Sequence, residues 1–277
     1  MHKKLVLAGV IGDPISHSKS PILHRYWLDK NAINGHYIPL KVQKNDIELV
    51  LKTLPKMGFS GVNVTVPHKE SVLKLANEIT QNARQIGSAN TLTFLPSGGF
   101  KADNTDGYGF LKNLEENDAT WNPLNSRVLI IGAGGASRAV ISALLNSGVS
   151  KIVITNRTHE RAEGLKEYFE RKIDVIKWNE KEQFLKKINI LVNTTSLGML
   201  GSKKLNLSLS SINKDTTVLD LVYNPIKTVL LQDAEKHGCK TIDGLGMLLH
   251  QATPGFNEWF GIKPIITSEI RKRILTQ

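Results

Sequence analysis

The sequence has only one cysteine, Cys239, and this scarcity excludes two kinds of stabilisation. A single thiol cannot close a disulfide within the chain, and it cannot supply a zinc site built from several cysteines. The eight histidines also lack the HExxH spacing of a metalloprotease helix. We therefore expect no bound metal and, by default, a reducing compartment, the cytoplasm.

Long apolar runs are missing as well, since no stretch approaches the roughly 20 residues that a membrane span needs. The start of the chain, Met1–Lys4 followed by Leu5–Gly12, superficially resembles a signal peptide. However, Asp13-Pro14 ends its short apolar run without a small-residue cleavage site. We interpret the run as a buried strand and expect a soluble protein with no membrane partner.

Acidic residues are outnumbered: 25 Asp and Glu face 36 Lys and Arg, giving a net charge of +11. Such an excess is typical of proteins that bind nucleic acids, membranes or anionic small molecules. Here the basic clusters, such as Lys186-Lys187 and Arg271-Lys272-Arg273, are short and separated, and no aromatic ladder accompanies them. We therefore predict an anionic small-molecule ligand and no nucleic-acid partner.

Two series of alternating strands and helices are predicted, with a change of character near residue 107. The first series has predicted strands at Leu5–Ile11, Tyr37–Val42, Gly61–Val66 and Asn90–Phe94, and helices at Pro21–Asn31, Ile47–Lys56 and Lys69–Ile79. The second has predicted strands at Arg127–Ile131, Lys151–Thr155, Val175–Trp178, Ile188–Asn193 and Val218–Tyr223, helices at Ala136–Leu145 and His159–Arg171, and tail helices at Gly246–Phe256 and Thr267–Leu275. This alternation predicts an α/β protein with mainly parallel sheets.

A glycine-rich turn separates the first strand and first helix of the second series. Gly132, Gly134 and Gly135 leave room for a pyrophosphate to approach the backbone, and the N–H groups at the helix start, from Ala136 onward, face the anion. Ser137 stands where the dinucleotide fingerprint usually has Gly or Ala. A tight turn without a ligand is the alternative, but the flanking strand and helix favour a dinucleotide site.

The residues after the next strand indicate which dinucleotide binds. NAD enzymes place an Asp or Glu there for the ribose 2′-hydroxyl, whereas this chain has Asn156-Arg157-Thr158. Arg157 can pair with a 2′-phosphate, Thr158 can add a hydroxyl, and Arg161 lies one helical turn later. We predict NADP rather than NAD, although an ordinary solvated arginine at a helix start is the simpler alternative for Arg157.

In the first series, Ser16 and Ser18 occupy a loop before a helix, where two hydroxyls can face a carboxylate. Helix capping explains Ser20, which precedes Pro21, better than it explains the other two serines. Lys69 is predicted in the first turn of a helix, where the dipole disfavours a cation, so a functional role is favoured. For Asp106, at the start of another helix, an N-cap and a catalytic role remain equally open.

Taken together, eight motifs in one order resemble the shikimate dehydrogenase family, and the match extends from Ser16 to Gln251. They are Ser16-x-Ser18-Lys19-Ser20-Pro21, Asn63-Val-Thr65-x-Pro67-x-Lys69, Gly87-x-Ala89-Asn90-Thr91, Asn104-Thr105-Asp106-Gly107, Gly132-Ala-Gly134-Gly135-Ala136, Asn156-Arg157-Thr158, Asn193-Thr-Thr195-Ser196-x-Gly198-Met199 and Asp243-Gly244-x-Gly246-Met247.

The resemblance implies a reaction and a set of roles. Lys69 and Asp106 would be the catalytic pair for the NADPH-dependent reduction of 3-dehydroshikimate to shikimate, a step of chorismate and aromatic amino acid biosynthesis. Substrate oxygens would be held by Ser16, Ser18, Thr65, Asn90, Tyr223 and Gln251. The resemblance adds cofactor contacts at Thr195, Leu221, Gly244 and Met247.

The resemblance also implies two domains. Residues 1–106, completed by residues 240–277, would form the substrate-binding and catalytic domain, and residues 107–239 a Rossmann domain that binds NADP, with a cleft that opens and shuts. The family often has Met where this chain has Leu221, an exchange that conserves volume. We expect the polar stretch 200–211 to be a loop, and the protein to be a monomer or a homodimer.

Three alternatives compete with this interpretation. A quinate/shikimate dehydrogenase would often use NAD, which Asn156-Arg157-Thr158 disfavours, and Ser16 with Ser18 fits the shikimate pattern. A methylene-tetrahydrofolate dehydrogenase would need a pterin-stacking aromatic residue that we do not find. A non-catalytic NADP(H)-binding sensor that contacts nucleic acid would not need both Lys69 and Asp106.

Overall fold

The computed structural model describes residues 5–276, so the basic start of the segment that resembles a signal peptide lies outside the described residues. The chain divides into two compact units. Unit 1 comprises Met1–Asp106 and Leu249–Gln277, and unit 2 comprises Gly107–Leu248. In the described part of the chain, we find no helix with the length and apolarity that crossing a bilayer requires.

Unit 1 is built on a six-stranded sheet with the order β2-β1-β3-β5-β6-β4. Its strands are β1 (Val6–Gly12), β2 (Gly35–Lys41), β3 (Phe59–Val64), β4 (Glu78–Ile79), β5 (Thr91–Phe94) and β6 (Phe100–Asp103). Its helices are α1 (Ser20–Lys30), α2 (Ile47–Thr53) and α3 (Gln81–Ile86), with 3-10 turns at Leu54–Met57 and Ser71–Leu75. All neighbouring strands are parallel except where β5 pairs with β3 and β6.

Strand direction brings several chain segments of unit 1 to one edge of this sheet. The carboxyl ends of β1, β3 and β6 lie at that edge, and the amino end of the antiparallel β5 lies there too. The segments that leave these ends carry the predicted residues Ser16, Thr65, Asn90 and Asp106. Topology alone therefore gathers these positions, although they are far apart in the sequence.

The C-terminal helices complete unit 1. Helix α9 (Gly244–Phe260) enters it at Leu249, and α10 (Ser268–Thr276) follows. The ring of Phe256 lies 5.3 Å from that of Trp27, centroid to centroid, and Tyr26 donates a hydrogen bond of 2.7 Å to Glu269. Burial of such aromatic rings is a large apolar contribution, so the tail is an integral part of this core.

Unit 2 contains a second six-stranded sheet, with the order β12-β11-β10-β7-β8-β9 and every pair parallel. Its strands are β7 (Arg127–Ile131), β8 (Lys151–Thr155), β9 (Asp174–Val175), β10 (Ile190–Asn193), β11 (Thr217–Asp220) and β12 (Lys240–Ile242). Its helices are α4 (Asp106–Asn117), which begins at the last residue of unit 1, α5 (Gly135–Asn146), α6 (His159–Tyr168), α7 (Lys181–Phe184) and α8 (Val229–Lys236). Short 3-10 turns lie at Pro123–Asn125, Trp178–Glu180 and Leu185–Lys187.

This strand order is that of a doubly wound Rossmann sheet. The order reverses between β7 and β10, and ligands of such sheets bind outside the carboxyl ends of the strands at that switch point. The strands read as apolar runs because helices cover both faces, and Val128, Leu129, Ile130 and Ile131 of β7 are fully buried. The predicted glycine turn follows β7 directly.

The predicted helix Lys69–Ile79 is wrong. Lys69 lies in a turn, the 3-10 helix Ser71–Leu75 follows, and Glu78–Ile79 is strand β4. The backbone N–H groups of Asn77 and Thr80 bond to β6 carbonyls, which draws the segment onto the sheet. The helix-dipole argument for Lys69 therefore does not apply.

The predicted boundary at residue 240, where the chain re-enters the first domain, also differs from the structure, in which unit 1 resumes at Leu249. Residues 240–248 belong to unit 2, because β12 adds to its sheet as a parallel neighbour of β11. Three-residue strands such as β12 have too little periodicity to be read from sequence. Residues 200–211 contain no helix or strand, as predicted.

Candidate active site

The centre of the candidate site in unit 1 is an ion pair between Lys69 and Asp106. Nζ of Lys69 lies 2.6 Å from Oδ2 of Asp106. The lysine side chain is 26% exposed and the aspartate side chain 12% exposed. A short charge-assisted bond of this kind fixes the position of the ammonium, while water still reaches part of the lysine side chain.

Asn90 holds the other oxygen of the same carboxylate. Its Nδ2 donates to Oδ1 of Asp106 at 2.8 Å, and its own Oδ1 accepts the backbone N–H of Thr105 at 2.8 Å. Both carboxylate oxygens of Asp106 are therefore bonded to side chains of unit 1. The alternative role for Asp106, an N-cap, is not seen: the residue is the first of α4, and its own N–H bonds to Asn104 at 3.0 Å.

Gln251 of α9 joins this group. Nδ2 of Asn90 also donates to Oε1 of Gln251 at 3.2 Å, and the hydroxyl of Thr105 donates to the backbone oxygen of Gln251 at 2.8 Å. Helix α9 thus places a polar side chain beside the Lys69–Asp106 pair.

Backbone bonds fix the turn that carries Lys69. Thr65 donates its N–H to Ile11 at 2.9 Å, and the lysine backbone oxygen accepts the N–H of Ala89 at 2.7 Å. The preceding His68 is fully buried, with Nε2 2.8 Å from the backbone oxygen of Val42. Hydrogen bonds therefore connect this turn to β1, to the segment that precedes β5, and to the residue that follows β2.

The serine cluster differs from the prediction in one respect. Helix α1 begins at Ser20 itself, its N-cap is Lys19 without a side-chain bond, and Ser20 is buried near Tyr37. Because the helix starts here, the N–H of Ser20 needs an acceptor, and the hydroxyl of Ser18 accepts it at 3.3 Å. Capping therefore involves Ser18 rather than Ser20, while Ser16 is exposed in the same loop.

In unit 2 the glycine turn has the geometry that a pyrophosphate requires. A Cβ built on Gly134 or Gly135 meets no atom within 4 Å, so both glycines border open space. Gly132 has φ +114°, and a Cβ there would lie 2.6 Å from Oγ1 of Thr194. Helix α5 starts at Gly135 and points its N-terminus into that space, so the turn fits an anionic dinucleotide.

Ser137, the departure from the fingerprint, closes this turn from inside. Its buried hydroxyl donates to the backbone oxygen of Gly132 at 2.8 Å, accepts the N–H of Gly134 at 3.1 Å, and lies 2.7 Å from Oγ1 of Thr194. The side chain is small enough to keep the helix close to the sheet. It therefore replaces the usual Gly or Ala without filling the anion space.

Residues 156–158, directly after β8, include no acidic residue; the first one along the chain is Glu160, in the first turn of α6. Arg157, Thr158 and Arg161 are exposed around the start of α6, and Nδ2 of Asn156 donates to the backbone oxygen of Thr158 at 2.8 Å. Two cations at a helix N-terminus, beside the glycine turn of the neighbouring strand, provide donors for a 2′-phosphate.

The loops after β10 and β11 are joined through a buried carboxylate. Asp220, only 1% exposed, accepts Nδ2 of Asn193 at 2.9 Å, the N–H of Val222 at 3.1 Å and the hydroxyl of Thr228 at 2.7 Å. Oδ1 of Asn193 accepts the N–H and the hydroxyl of Thr195 at 3.1 and 2.7 Å. Asp220 is not among the residues predicted from the sequence, although an acidic residue ending an apolar strand was the available signal.

Of the remaining predicted residues of unit 2, Leu221 and Tyr223 follow β11 and Gly244 follows β12, whereas Met247 lies in the core. A Cβ on Gly244 would lie 2.2 Å from the backbone oxygen of Leu221, so the turn after β12 needs glycine to approach the end of β11. Tyr223 is partly buried, and burial raises the pKa of its phenol. Met247 is 9% exposed and packs in the core of unit 2.

Among residues 5–276 no group of three or more His, Cys, Asp and Glu side chains is arranged to hold a metal ion.

Comparison with known proteins identifies the family. Residues 10–92 match the family model "Shikimate dehydrogenase substrate binding domain", and residues 117–225 match "Shikimate / quinate 5-dehydrogenase". A shikimate dehydrogenase (NADP(+)) of Roseobacter denitrificans is 54% identical over 272 residues, which cover 98% of each chain.

Solved structures agree with this result. A quinate dehydrogenase from Corynebacterium glutamicum in complex with NAD has a TM-score of 0.92 at 29% identity, covering 99% of this chain and 100% of that one. A shikimate 5-dehydrogenase from Thermus thermophilus, in complex with NADP(H) and shikimate, has a TM-score of 0.86 at 31% identity, covering 97% and 98%. The predicted two-domain α/β fold, enzyme class and cofactor are confirmed, and the chain belongs to the NADP-dependent shikimate dehydrogenase family.

Proposed function

We propose that this chain reduces 3-dehydroshikimate to shikimate, with Lys69 supplying the proton and Asp106 holding the Lys69 ammonium. The observation that carries this proposal is the 2.6 Å ion pair at the carboxyl edge of the unit 1 sheet. Relatives at 54% and 49% identity are named shikimate dehydrogenases that use NADP(+). The assignment of 3-dehydroshikimate as substrate rests on the names of these relatives and on the site residues.

The reaction adds one hydride and one proton to a ketone. Bound NADPH supplies the hydride that forms the new C–H bond at C3. As the carbonyl π bond breaks, negative charge develops on the oxygen, and the ammonium of Lys69 transfers its proton there. The neutral amine is then reprotonated by water, because 26% of the lysine side chain remains exposed.

Asp106 and Asn90 orient this proton donor. The carboxylate accepts from Lys69 through Oδ2 and from Asn90 through Oδ1, so its plane and its distance from the ammonium are fixed before substrate binds. Such preorganisation avoids the free-energy cost of reorienting charges during the reaction. Asp106 would also accept a hydroxyl of the substrate.

The substrate would be held by hydroxyl and amide groups. Ser16 and Ser18 would offer hydroxyls to the ring carboxylate, and the phenol of Tyr223, whose pKa is raised by burial, would add a third donor. Thr65, Asn90 and Gln251 would hold the other oxygens, and the Asn90–Gln251 bond of 3.2 Å would be supplemented or replaced by a substrate hydroxyl.

NADP(H) would be held by unit 2. The backbone around Gly132, Gly134, Gly135 and Ala136 fits the pyrophosphate, because a Cβ at Gly134 or Gly135 would enter open space. Asn156, Arg157, Thr158 and Arg161 would hold the adenosine ribose and its 2′-phosphate. We assign the nicotinamide end to Thr195, Leu221, Gly244 and Met247; since Met247 is largely buried, its contribution would be to support the pocket wall.

The cellular context proposed for this enzyme is the cytoplasm, with small molecules as its only required partners and a monomer or homodimer as its assembly. The excess of basic residues is then a surface that suits an anionic substrate and cofactor rather than a nucleic acid. Sedimentation equilibrium would measure the oligomeric state. Retention on a heparin column at moderate salt would indicate nucleic-acid binding and contradict the proposed absence of a nucleic-acid partner.

A comparison of four substrate–cofactor pairs tests the proposed function. The purified chain is given shikimate or quinate with NADP or NAD, and absorbance at 340 nm is followed. We expect the highest kcat/KM with shikimate and NADP. A higher value with quinate, or with NAD, would overturn the substrate or the cofactor assignment, and NADP binding without any turnover would overturn the enzymatic assignment.

A further inference from the structure

Two loops that carry proposed site residues in unit 2 are joined by one buried carboxylate. Thr195 lies after β10, whereas Leu221 and Tyr223 follow β11. Asp220 ends β11 and is 1% exposed. It has no cationic partner in the described part of the chain; its partners are an amide, a hydroxyl and a backbone N–H.

The first arm of the network fixes the β10 loop. Asp220 Oδ1 accepts Nδ2 of Asn193 at 2.9 Å, which sets the orientation of that amide. Oδ1 of Asn193 consequently faces Thr195 and accepts both the N–H of Thr195 at 3.1 Å and its hydroxyl at 2.7 Å. The Thr195 hydroxyl in turn accepts the N–H of Leu197 at 3.1 Å. Nδ2 of Asn193 also donates to the backbone oxygen of Leu197 at 3.2 Å, so Asp220 and Leu197 together hold the amide in the orientation that this arm requires.

The second arm fixes the segment after β11. Oδ1 of Asp220 also accepts the N–H of Val222 at 3.1 Å, and Val222 lies between Leu221 and Tyr223. Oδ2 accepts the hydroxyl of Thr228 at 2.7 Å, and that hydroxyl caps α8 by accepting the N–H of Leu231 at 3.3 Å. Burial raises the pKa of the Asp220 carboxyl, and the bonds from Thr228, Val222 and Asn193 act in the opposite direction.

Thr194 connects the network to the glycine turn. Its hydroxyl lies 2.7 Å from that of Ser137 and donates to the backbone oxygen of Ile131 at 2.8 Å. Ser137 closes the turn between Gly132 and Gly134. Because Thr194 directly follows Asn193, the hydrogen bonds at α8 and those at α5 act on one continuous segment after β10.

We propose that Asp220 is a positioning residue for the NADP site, because its carboxylate sets the conformation of the loops that carry Thr195, Leu221 and Tyr223. This inference rests on the proposed function, since those three residues belong to the proposed site. Asp220 itself does not touch the reacting atoms. It acts through Asn193 and through the backbone of Val222.

The test is Asp220→Asn, which keeps the shape but replaces one acceptor oxygen by a donor. If the new NH2 group takes the position of Oδ1, it faces the Asn193 amide and the Val222 N–H; if it takes the position of Oδ2, the Thr228 hydroxyl must accept instead of donate. Either arrangement also removes the negative charge that strengthens all three bonds, so the loops are held less firmly. We expect the NADP Kd, measured by titration calorimetry without substrate, to rise at least tenfold. The KM for NADP should rise with it.

Asp118→Asn is the matched control because Asp118 is a second buried carboxylate in unit 2. It lies near the amino end of β11, where it accepts Thr217 at 2.7 Å and Lys240 at 2.6 Å. That variant should lower Tm by several degrees but leave the NADP Kd within twofold of wild type. Equal weakening in both variants would show general destabilisation and overturn the positioning role.

Two further variants keep the inference falsifiable. The double variant Asn193→Asp/Asp220→Asn exchanges the two side chains and restores one donor and one acceptor between these positions. It should therefore recover part of the NADP affinity that Asp220→Asn loses. If Asp220→Asn does not fold, Thr228→Val removes only one donor and should raise the NADP Kd two- to fivefold. An NADP Kd equal to wild type in Asp220→Asn, or in Thr228→Val where Asp220→Asn does not fold, contradicts the inference. A wild-type chain that binds no NADP contradicts the proposed function instead.

Discussion

Nζ of Lys69 lies 2.6 Å from Oδ2 of Asp106, and the amide of Asn90 bonds to the other oxygen of that carboxylate at 2.8 Å. The lysine follows β3, the asparagine precedes β5 and the aspartate follows β6. Three segments that are distant in sequence thus meet because β5 runs antiparallel to its neighbours. The arrangement orients one transferable proton and leaves part of the lysine accessible to water.

Asp106→Asn should lower kcat by on the order of 100-fold, because the Lys69 ammonium loses its counter-ion while the size of the side chain is kept. The NADP Kd should not change. Steady-state rates with shikimate and NADP, together with calorimetric NADP binding, measure both quantities.

Asp29→Asn is the control for that experiment, since Asp29 forms an exposed pair with Arg25. Its kcat should equal that of wild type. A fall in kcat as large as that of Asp106→Asn would mean that loss of a surface charge, not loss of the ion pair, changes the rate.

Arg157→Ala should raise the KM for NADP about 10- to 100-fold, because a charge-assisted bond to the 2′-phosphate contributes about 1.5–3 kcal/mol. The KM for NAD, which lacks that phosphate, should change less than about threefold. Lys151→Ala removes an exposed cation from the opposite end of β8 and serves as control. Equal losses with NADP and NAD would remove Arg157 from phosphate recognition.

His24 makes the stability of the protein depend on pH. Burial lowers the pKa of its imidazole from 6.5 to about 3, its ring stacks on Tyr37 at 3.7 Å, and neither ring nitrogen has a hydrogen-bond partner among residues 5–276. Between those two pKa values the unfolded chain binds a proton that the folded chain excludes. The contribution is therefore complete above pH 6.5 and is lost as pH falls toward 3, by about 1.4 kcal/mol per pH unit.

Urea unfolding at pH 7.5 and pH 5 compares wild type with His24→Phe. From pH 7.5 to 5 the free energy of unfolding of wild type should fall by about 2 kcal/mol more than that of the variant. His36→Phe removes an exposed histidine of β2 and should behave as wild type does. Identical pH dependence in wild type and His24→Phe would exclude His24 as the source.

Much of the fold follows from the sequence where strands are apolar on both faces. β7 and β8 have the bounds that their apolar runs predict, Arg127–Ile131 and Lys151–Thr155. The Gly132 turn follows from the same logic, because only glycine tolerates its φ of +114°. Identification of the family from ordered motifs gave the cofactor and the enzyme class.

The remaining features depend on contacts that local patterns do not contain. The segment after Lys69 has helical periodicity, yet pairing with β6 converts its end into β4. Strand β12 is short and exists because β11 offers an open edge. The role of Asp220 is defined by Asn193 and Thr228, which only the folded chain brings to it.

The most direct test of the account is Lys69→Ala, assayed by shikimate-dependent growth of absorbance at 340 nm with NADP and, in parallel, by NADP binding. We predict a loss of kcat of about 10²- to 10⁴-fold with an unchanged NADP Kd, because the variant lacks the proton-transfer group but keeps the cofactor unit. A variant that retains wild-type kcat would contradict the assignment of Lys69 as the proton donor.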